Sequence, residues 1–554
     1  MPSRTMTTYN KKDINNDTPT TQKLNLANSQ TTQRLSDKKI LLLNTKIINH
    51  LNFKSMNKFK LFPLALAAFA FSACTSEDAV ENNPNVEGVK SYVAVNINNV
   101  GAATRATDGG YADGVGTENQ INAVRFYFFT ANGDAYKMKN GQSYVEKDNV
   151  GGTTKDNPNV EKITDAMLVI EGATTTAPHS MIAVVNPGTL DAGVLKATMT
   201  RDEVVAAVAT QNFVNNGADA KDFVMSNSVY AEGNQSVWVS DITGHVATES
   251  TAATQNPVDI YVERVAAKLT STATGAQEGK YEVGATTNGK PVYAVIKGWG
   301  IAKETTDANL IKKIDATWSD ADLGFQWNHP AYFRSYWEDS RTDLGDDKSY
   351  NDYRSHIGQV YYTNPNTNAP EYVATVELQY ADGTPAEICS YKGVEYLSEE
   401  AVRKAILLEN KAYKKRVAVE GGYNEEALTV NDIHFVVKGY QVQAQLNEGV
   451  TVYKDGVEAT AEANTKIGAT LAEIRKGGMA YYHTGVEHLG TSKGIVRNHF
   501  YQIDVNTIKG FGTPVYDPDS KFIPDDPKDV KTYIAATIKV LSWRVVKQTV
   551  DLGK

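Results

Sequence analysis

The sequence predicts an all-β protein, two β-sandwich domains with a few short helices, on three observations. Valine, threonine and isoleucine recur in short runs bounded by Gly, Asn, Asp or Pro; tyrosine (29) and glycine (41) are abundant; and the clearest runs alternate apolar with polar residues, the period of a strand with one face buried. The length of 554 residues exceeds one ordinary domain and leaves room for two globular bodies, plus segments that are removed or stay unpacked. With 41% hydrophobic and 22% charged residues the chain is neither wholly disordered nor a multi-span membrane protein. The formal charge of -9, with no block of Lys and Arg interleaved with aromatics, excludes a nucleic-acid partner.

Taken in chain order, the first element is an export signal that starts late. From Met56 a basic Met-Asn-Lys-Phe-Lys precedes an uncharged run over residues 61–71 and then Phe71-Ser72-Ala73-Cys74. A small-residue cleavage site ending in cysteine resembles a bacterial lipobox, so residues 56–73 read as a lipoprotein signal peptide and Cys74 as the lipidated residue. Thr75-Ser76-Glu77-Asp78 follows at once and excludes a buried core helix. Residues 1–55 are rich in Asn, Thr and Lys, with one apolar patch over residues 40–43 too short to span a bilayer. They read as an extension upstream of the true start at Met56. The second cysteine, Cys389, sits in a different context, so no disulfide is expected and Cys389 reads as a small buried hydrophobe.

Val93, Val95 and Ile97 then alternate on one face of the first strand. The flexible loop of residues 101–110 carries one arginine, Arg105, before Ala106, and its small residues invite proteolysis. Further strands are expected at 124–130, 167–170, 180–185, 259–262, 267–271, 292–296, 360–362, 372–378, 433–437 and 501–505. Thr200-Arg201-Asp202-Glu203 is a capping box, and Ser398-Glu399-Glu400 caps a run through Ala405, Ile406 and Leu407. Both helices are expected to decorate the sheets.

At the C-terminus Pro514, Pro518, Pro524 and Pro527 punctuate an acidic linker that cannot continue a sheet. A strand-like run opens at Tyr533. Ile534, Ala536, Ile538 and Val540 share a face, the phase slips around Leu541-Ser542-Trp543, and Val545, Val546, Val550 and Leu552 carry the apolar character onward. One strand of about nineteen residues would reach roughly 60 Å, too long for a casual edge of its own domain. It is expected to add to the sheet of a neighbouring molecule, in a slot that the first strand vacates when the chain is cut after Arg105.

These residues carry a resemblance. The lipobox at Cys74, Arg105-Ala106, the stretch 262–268 (Val-Glu-Arg-Val-Ala-Ala-Lys), the stretch 497–505 (Arg-Asn-His-Phe-Tyr-Gln-Ile-Asp-Val) and the stretch 540–545 (Val-Leu-Ser-Trp-Arg-Val) are similar to the fimbrillins of Bacteroidota, the type V pilins, and among them most to minor-fimbrium stalk subunits. The resemblance implies two transthyretin-like β-sandwich domains, maturation by an arginine-specific protease, C-terminal donor-strand exchange, and a role in adhesion and biofilm. It implies as partners copies of the chain itself, anchor and tip subunits, and outer-membrane lipid in the precursor. The chain departs from these relatives at Ser542, where they have proline, and in Gly553 and Lys554 beyond the usual terminal leucine. The expected organisation is 74–105 lipidated propeptide, 106–265 N-terminal sandwich, 266–513 C-terminal sandwich, 514–530 linker and 531–554 donor strand.

Enzyme, cofactor and metal readings are not expected. His483-Thr484-Gly485-Val486-Glu487-His488 has the wrong spacing for two ligands on one helical face and reads as a loop after a strand at 479–482. Asp346, Asp347 and Asp352 are the residues that could touch calcium, against the ordinary reading of solvated loop aspartates. The rival class is a non-polymerising surface lipoprotein that binds glycans through Tyr332, Phe333, Tyr336 and Trp337; within the fimbrial class, the rival is an anchor or tip accessory subunit.

Overall fold

A computed structural model describes residues 90–99, 114, 117–148, 162–211, 213, 222–232, 235–237, 240–320, 325–326, 337–489, 492–521, 533–542 and 544–547. All belong to the second of two units into which the chain divides, residues 84–554. The described chain is mostly strand with a few short helices, as the alternating runs predict, and every strand expected from the sequence falls on an observed one.

The N-terminal body is a single curled sheet. Its strands are β1 (Lys90–Asn99), β2 (Ala123–Phe129), β3 (Tyr144–Asp148), β4 (Lys162–Glu171), β5 (Ser180–Val185), β6 (Met225–Asn227) and β7 (Val258–Arg264), in spatial order β3-β2-β5-β6-β7-β1-β4. The curl brings its ends together: the Lys139 amide donates to the Glu171 carbonyl (2.8 Å) and the Ala173 amide to the Lys137 carbonyl (3.0 Å). Val93, Val95, Phe126, Phe128, Leu168, Ile170, Ile260 and Val262 fill the inside. β2 and β5 are covered on both faces, because Tyr127, Phe129, Ile182 and Val184 pack against Val204 of helix α1 (Arg201–Val205) and against Leu310. The capping box is present: the Glu203 amide donates to the Thr200 hydroxyl, and the Thr200 amide to the Glu203 carboxylate.

The next body is a true sandwich. One sheet contains β8 (Ala267–Thr272), β11 (Val360–Thr363), β20 (His499–Lys509), β21 (Tyr533–Ser542) and β22 (Arg544–Lys547), in order β11-β8-β20-β21-β22. The facing sheet contains β9 (Tyr281–Ala285), β10 (Pro291–Ala302), β12 (Glu371–Gln379) and β19 (Met479–Gly485), in order β9-β10-β12-β19. Alternation decides the inner face of β20, where Tyr501, Ile503 and Val505 are buried against Trp299, Tyr372, Val376 and Tyr482. β10 bulges between Ile296 and Gly298. A Cβ on Gly298 would lie 1.9 Å from the Tyr353 carbonyl oxygen, so only glycine lets that loop close on the strand.

Between β12 and β19 the chain builds a third core. It is formed by β13 (Cys389–Tyr391), α2 (Glu399–Glu409), β14 (Lys414–Val419), β15 (Gly422–Ala427), β16 (Ile433–Lys438), β17 (Gln441–Leu446), α3 (Thr460–Ile467) and β18 (Ala472–Ile474). Here the expectation for the second helix fails. Val402 and Ile406 of α2, with Ala463 and Ile467 of α3, are fully buried and make this core together with Cys389, Ile433 and Val442. A helix seen in sequence as amphipathic needs a sheet to lie on, and this sheet is supplied by strands up to roughly seventy residues away. Ser398 caps α2 as expected, accepting from the Ala401 amide at 3.2 Å. Cys389 is the buried hydrophobe expected, its thiol pushed up to about 12, first of all by burial.

Two further readings are revised. His483 is not in a loop; it lies within β19, nearly buried, with Nδ1 2.8 Å from a Glu371 carboxylate oxygen. Trp337 is no exposed platform: it stacks on Trp318 (ring centroids 5.8 Å apart) in the sandwich core. Tyr332, Phe333 and Tyr336 lie outside the described residues.

Candidate functional site

β1 is inserted between two strands that do not otherwise meet. It pairs antiparallel with β4 over ten positions, Lys90↔Glu171 to Asn99↔Lys162, and parallel with β7 over five, Val95↔Val258 to Asn99↔Val262. β4 ends the sheet, and β1 is its paired strand, the end of β4 being held besides by the two bonds that close the curl. Adjacent strands lie about 4.8 Å apart, so the interval between β7 and β4 is one strand wide, roughly 9.6 Å. Val93 and Val95 are fully buried in it, and Ile97 holds the next position of the same alternation, opposite Thr164 and Ile260. A short lateral bond also ties β1 down, the Tyr92 amide donating to the Ala247 carbonyl at 2.7 Å.

The tail adopts a form the sequence does not predict. β21 lies on its own sandwich, antiparallel to β20, from His499↔Ser542 to Lys509↔Tyr533. Its register places Val540, Ile538, Ala536 and Ile534 opposite Tyr501, Ile503, Val505 and Ile508, all four of which are buried. Instead of one strand of about nineteen residues the tail is a hairpin: Ser542 pairs with Arg544, Leu541 with Val545 and Val540 with Val546. The slip of phase at 541–543 is therefore a reversal of direction. Trp543, Val550 and Leu552 lie outside the described residues, as do Cys74, Arg105 and Ala106.

Slot and tail strand are joined by a polar clamp, and the two stretches singled out in the sequence meet there. β7 ends at Arg264 and β8 begins at Ala267, so the chain crosses between bodies in two residues. Asn498, in the left-handed region at φ 55, donates its amide to the Ala266 carbonyl (2.7 Å) and accepts from Arg264 Nη1 (3.3 Å). Arg264 Nε donates to the Glu118 carbonyl (2.8 Å), and Lys268 Nζ lies 2.7 Å from the Glu118 carboxylate, which also accepts from the Tyr362 hydroxyl. One step along, Arg497 Nε donates to Glu338 (2.7 Å), while Nη1 and Nη2 donate to the carbonyls of Leu310 (3.1 Å) and Asn309 (2.7 Å). Both side chains of that ion pair are fully buried. Every polar atom of Arg497 named here is spent on holding the start of β20 to the loop that packs against the N-terminal body.

Two imidazoles line the same place. The His488 and His499 rings meet edge to face at 4.9 Å; His499 Nδ1 donates to the Arg497 carbonyl at 2.6 Å, and His488 Nδ1 lies 2.8 Å from the Tyr501 hydroxyl. Burial, then His488, then Lys312 push the His499 pKa well below the ordinary imidazole value. Burial likewise lowers the Lys312 ammonium, against the pull of Glu263 and Glu338. Glu118, Lys312 and Glu338 carry no signal in the sequence: each is one charged residue in an irregular stretch, and its partners are far away along the chain.

Among the described residues no group of three His, Cys, Asp or Glu side chains could hold a metal. Asp352 instead caps its own turn, accepting from the Ser349 amide and hydroxyl (2.9 and 2.8 Å), which holds its carboxyl below the ordinary value. Asp346 faces Lys521 at 3.4 Å.

A family model described as the major fimbrial subunit protein type IV, fimbrillin, C-terminal, matches residues 475–549, the segment from the start of β19 through β20 to the tail. Over those residues the chain carries a fimbrillin C-terminal segment. Among solved structures, the chain is similar to a fimbrilin of Porphyromonas gingivalis (12% identity, 82% of this chain and 98% of that one, TM-score 0.36). It is also similar to the C-terminally truncated tip fimbrial protein Mfa3 of the same organism (10%, 81% and 99%, TM-score 0.29), and to a fimbrial assembly protein of Parabacteroides distasonis (12%, 66% and 100%, TM-score 0.25). Compared by sequence with curated proteins, the chain has no match. Among the described residues no helix is long and apolar enough to cross a membrane.

Proposed function

We propose that the chain is a fimbrillin stalk subunit that polymerises by strand exchange between its two ends. The precursor is exported and lipidated on Cys74, an arginine-specific protease cuts between Arg105 and Ala106, and the segment bearing β1 leaves with the lipid. The tail of another copy then fills the vacated interval, and repetition builds a filament that supports adhesion and biofilm, ending in anchor and tip subunits.

The observation that carries this reading is the position of β1. It is the first strand among the described residues, it ends before the proposed processing arginine, and it lies between two strands that lack each other, so its loss opens a slot rather than shortening an edge. The tail supplies the matching pattern: Ile534, Ala536, Ile538 and Val540 repeat every second residue, as Val93, Val95 and Ile97 do. A direction for the exchange follows from the ladders. At home β21 has one foreign neighbour, β20, and its own returning strand β22; in the slot it would bond β7 on one side and β4 on the other. Release from β20 is therefore a step of assembly, and the second ladder offsets it.

Deleting residues 531–554 tests this. The truncated, protease-treated protein is expected to remain folded and to give no filaments by electron microscopy, while Arg105→Ala leaves an uncut precursor that gives none either. Filaments of normal length from either variant would refute the scheme.

A further inference from the structure

A second opening lies on the N-terminal body, apart from the β1 slot. Where the sheet curls back on itself, β3 and the outer side of β4 leave an open groove of about 730 Å³, within the range of about 300–1,000 Å³ that holds small ligands.

One wall is built with a regular pattern. Tyr144, Glu146 and Asp148 occupy alternate positions of β3, Asn140 and Gln142 belong to the turn and the short stretch that lead into it, and all five line the groove. Their polar atoms are already linked in a row. Asn140 Nδ2 donates to Gln142 Oε1 (2.9 Å), and Gln142 Nε2 donates to the Tyr144 hydroxyl (3.2 Å). The Arg125 guanidinium lies over the Tyr144 ring at 4.3 Å and donates from Nε to Glu146 at 2.6 Å. These contacts hold planar amide, phenol and carboxylate groups at fixed spacing, which lowers the ordering cost of binding. The opposite wall is Val169 and Glu171.

The chemistry of this lining selects a ligand class. Hydrogen-bonding groups of both kinds line the wall, those of Tyr144, Glu146 and Asp148 about 6.6 Å apart at alternate strand positions, and Met138, Val145 and Val169 are the apolar side chains present, too few for a lipid chain. Arg125 and Lys139 are outnumbered by Glu146, Asp148 and Glu171, so an anionic ligand meets net repulsion. An extended peptide would want apolar pockets for its alternate side chains, and polar side chains stand there instead. We propose that this groove binds a neutral oligosaccharide, with Gln142 and the Tyr144 hydroxyl as its central contacts. The site does not depend on strand exchange and is present in the monomer.

The test uses the full-length monomer and saturation-transfer NMR with maltotriose, mannotriose and tri-N-acetylchitotriose, alongside a sialylated and a sulfated trisaccharide and an unstructured decapeptide. At least one neutral sugar is expected to bind, and Gln142→Ala and Tyr144→Phe are each expected to weaken it roughly ten-fold or more with an unchanged melting curve. Absence of binding by all three neutral sugars, binding indifferent to both substitutions, or binding confined to the anionic sugars or to the peptide would each overturn the assignment.

Discussion

Truncating the two buried valines of β1 separates a strand that stays from a strand that leaves. Val93→Ala and Val95→Ala each remove two methyl-sized groups from a site with no solvent exposure to speak of, a transfer loss of about 1.6 kcal/mol per site at roughly 0.8 kcal/mol per group. The cavities left behind raise this to about 2 kcal/mol each, so the double variant is expected to lose about 4 kcal/mol, less whatever coupling these neighbouring positions share. Urea denaturation of the uncut precursor reads that loss directly. Once the chain is cut, the same loss lowers the barrier to departure of β1, so filament growth is expected to accelerate by up to about a thousand-fold. Finished filaments of the double variant should match wild type in resistance to denaturant, because the altered strand is no longer in them. Filaments weakened by the same amount as the precursor would mean that β1 never leaves, and the reasoning from the slot would fail.

Other expectations follow from the clamp. Glu338→Gln strands Arg497 in a fully buried site and is expected to cost about 3–5 kcal/mol, measured by urea denaturation; a change below about 1 kcal/mol would mean the pair is not buried in solution. Acid should weaken the same junction. The folded-state pKa of His499 is depressed, so below about 6.5 the unfolded chain takes up a proton that the folded chain refuses, and stability, complete above that value, falls as the pH drops toward the folded-state value. His488 and Lys312 around it oppose a further positive charge, backbone hydrogen bonds to Arg497 and Val496 offset this only in part, and Glu338 is already engaged by Arg497. Glu371 acts in the same direction at lower pH: burial raises its pKa, but hydrogen bonds from His483 and Lys303 outweigh that and hold it below the ordinary value, so their stabilisation is lost as pH falls from about 4.5. A melting temperature that stays flat from pH 7.5 to 5.5, or a decline that His499→Gln does not reduce, would contradict the first of these.

What was legible in the chain is what depends on neighbours in sequence. Short apolar runs bounded by turn residues located β5, β12 and β20, and cap chemistry located α1 and α2, because each is settled within a few residues. The slip of phase at 541–543 was visible too, but a bulge and a reversal leave the same trace in a pattern of side chains, and the backbone chose reversal. The parallel pairing of β1 with β7 and the packing of α2 and α3 into a third core were not legible, since both join segments separated by tens to well over a hundred residues. The clamp was half legible: Arg264, Lys268, Arg497 and Asn498 stood out in their stretches, while Glu118 and Glu338, which accept from them, sit in stretches with no pattern.

The slot itself can be locked. Ala94 and Met167 are directly paired across β1 and β4, at a separation that antiparallel neighbours share with disulfide-linked residues, and a bond between Ala94→Cys and Met167→Cys would close a loop worth about 4 kcal/mol to the folded precursor. The lock holds β1 in place after cleavage at Arg105. Protease-treated subunits are expected to remain monomeric while oxidised and to form filaments once reductant is added; filaments growing equally well with the bond intact would contradict the account.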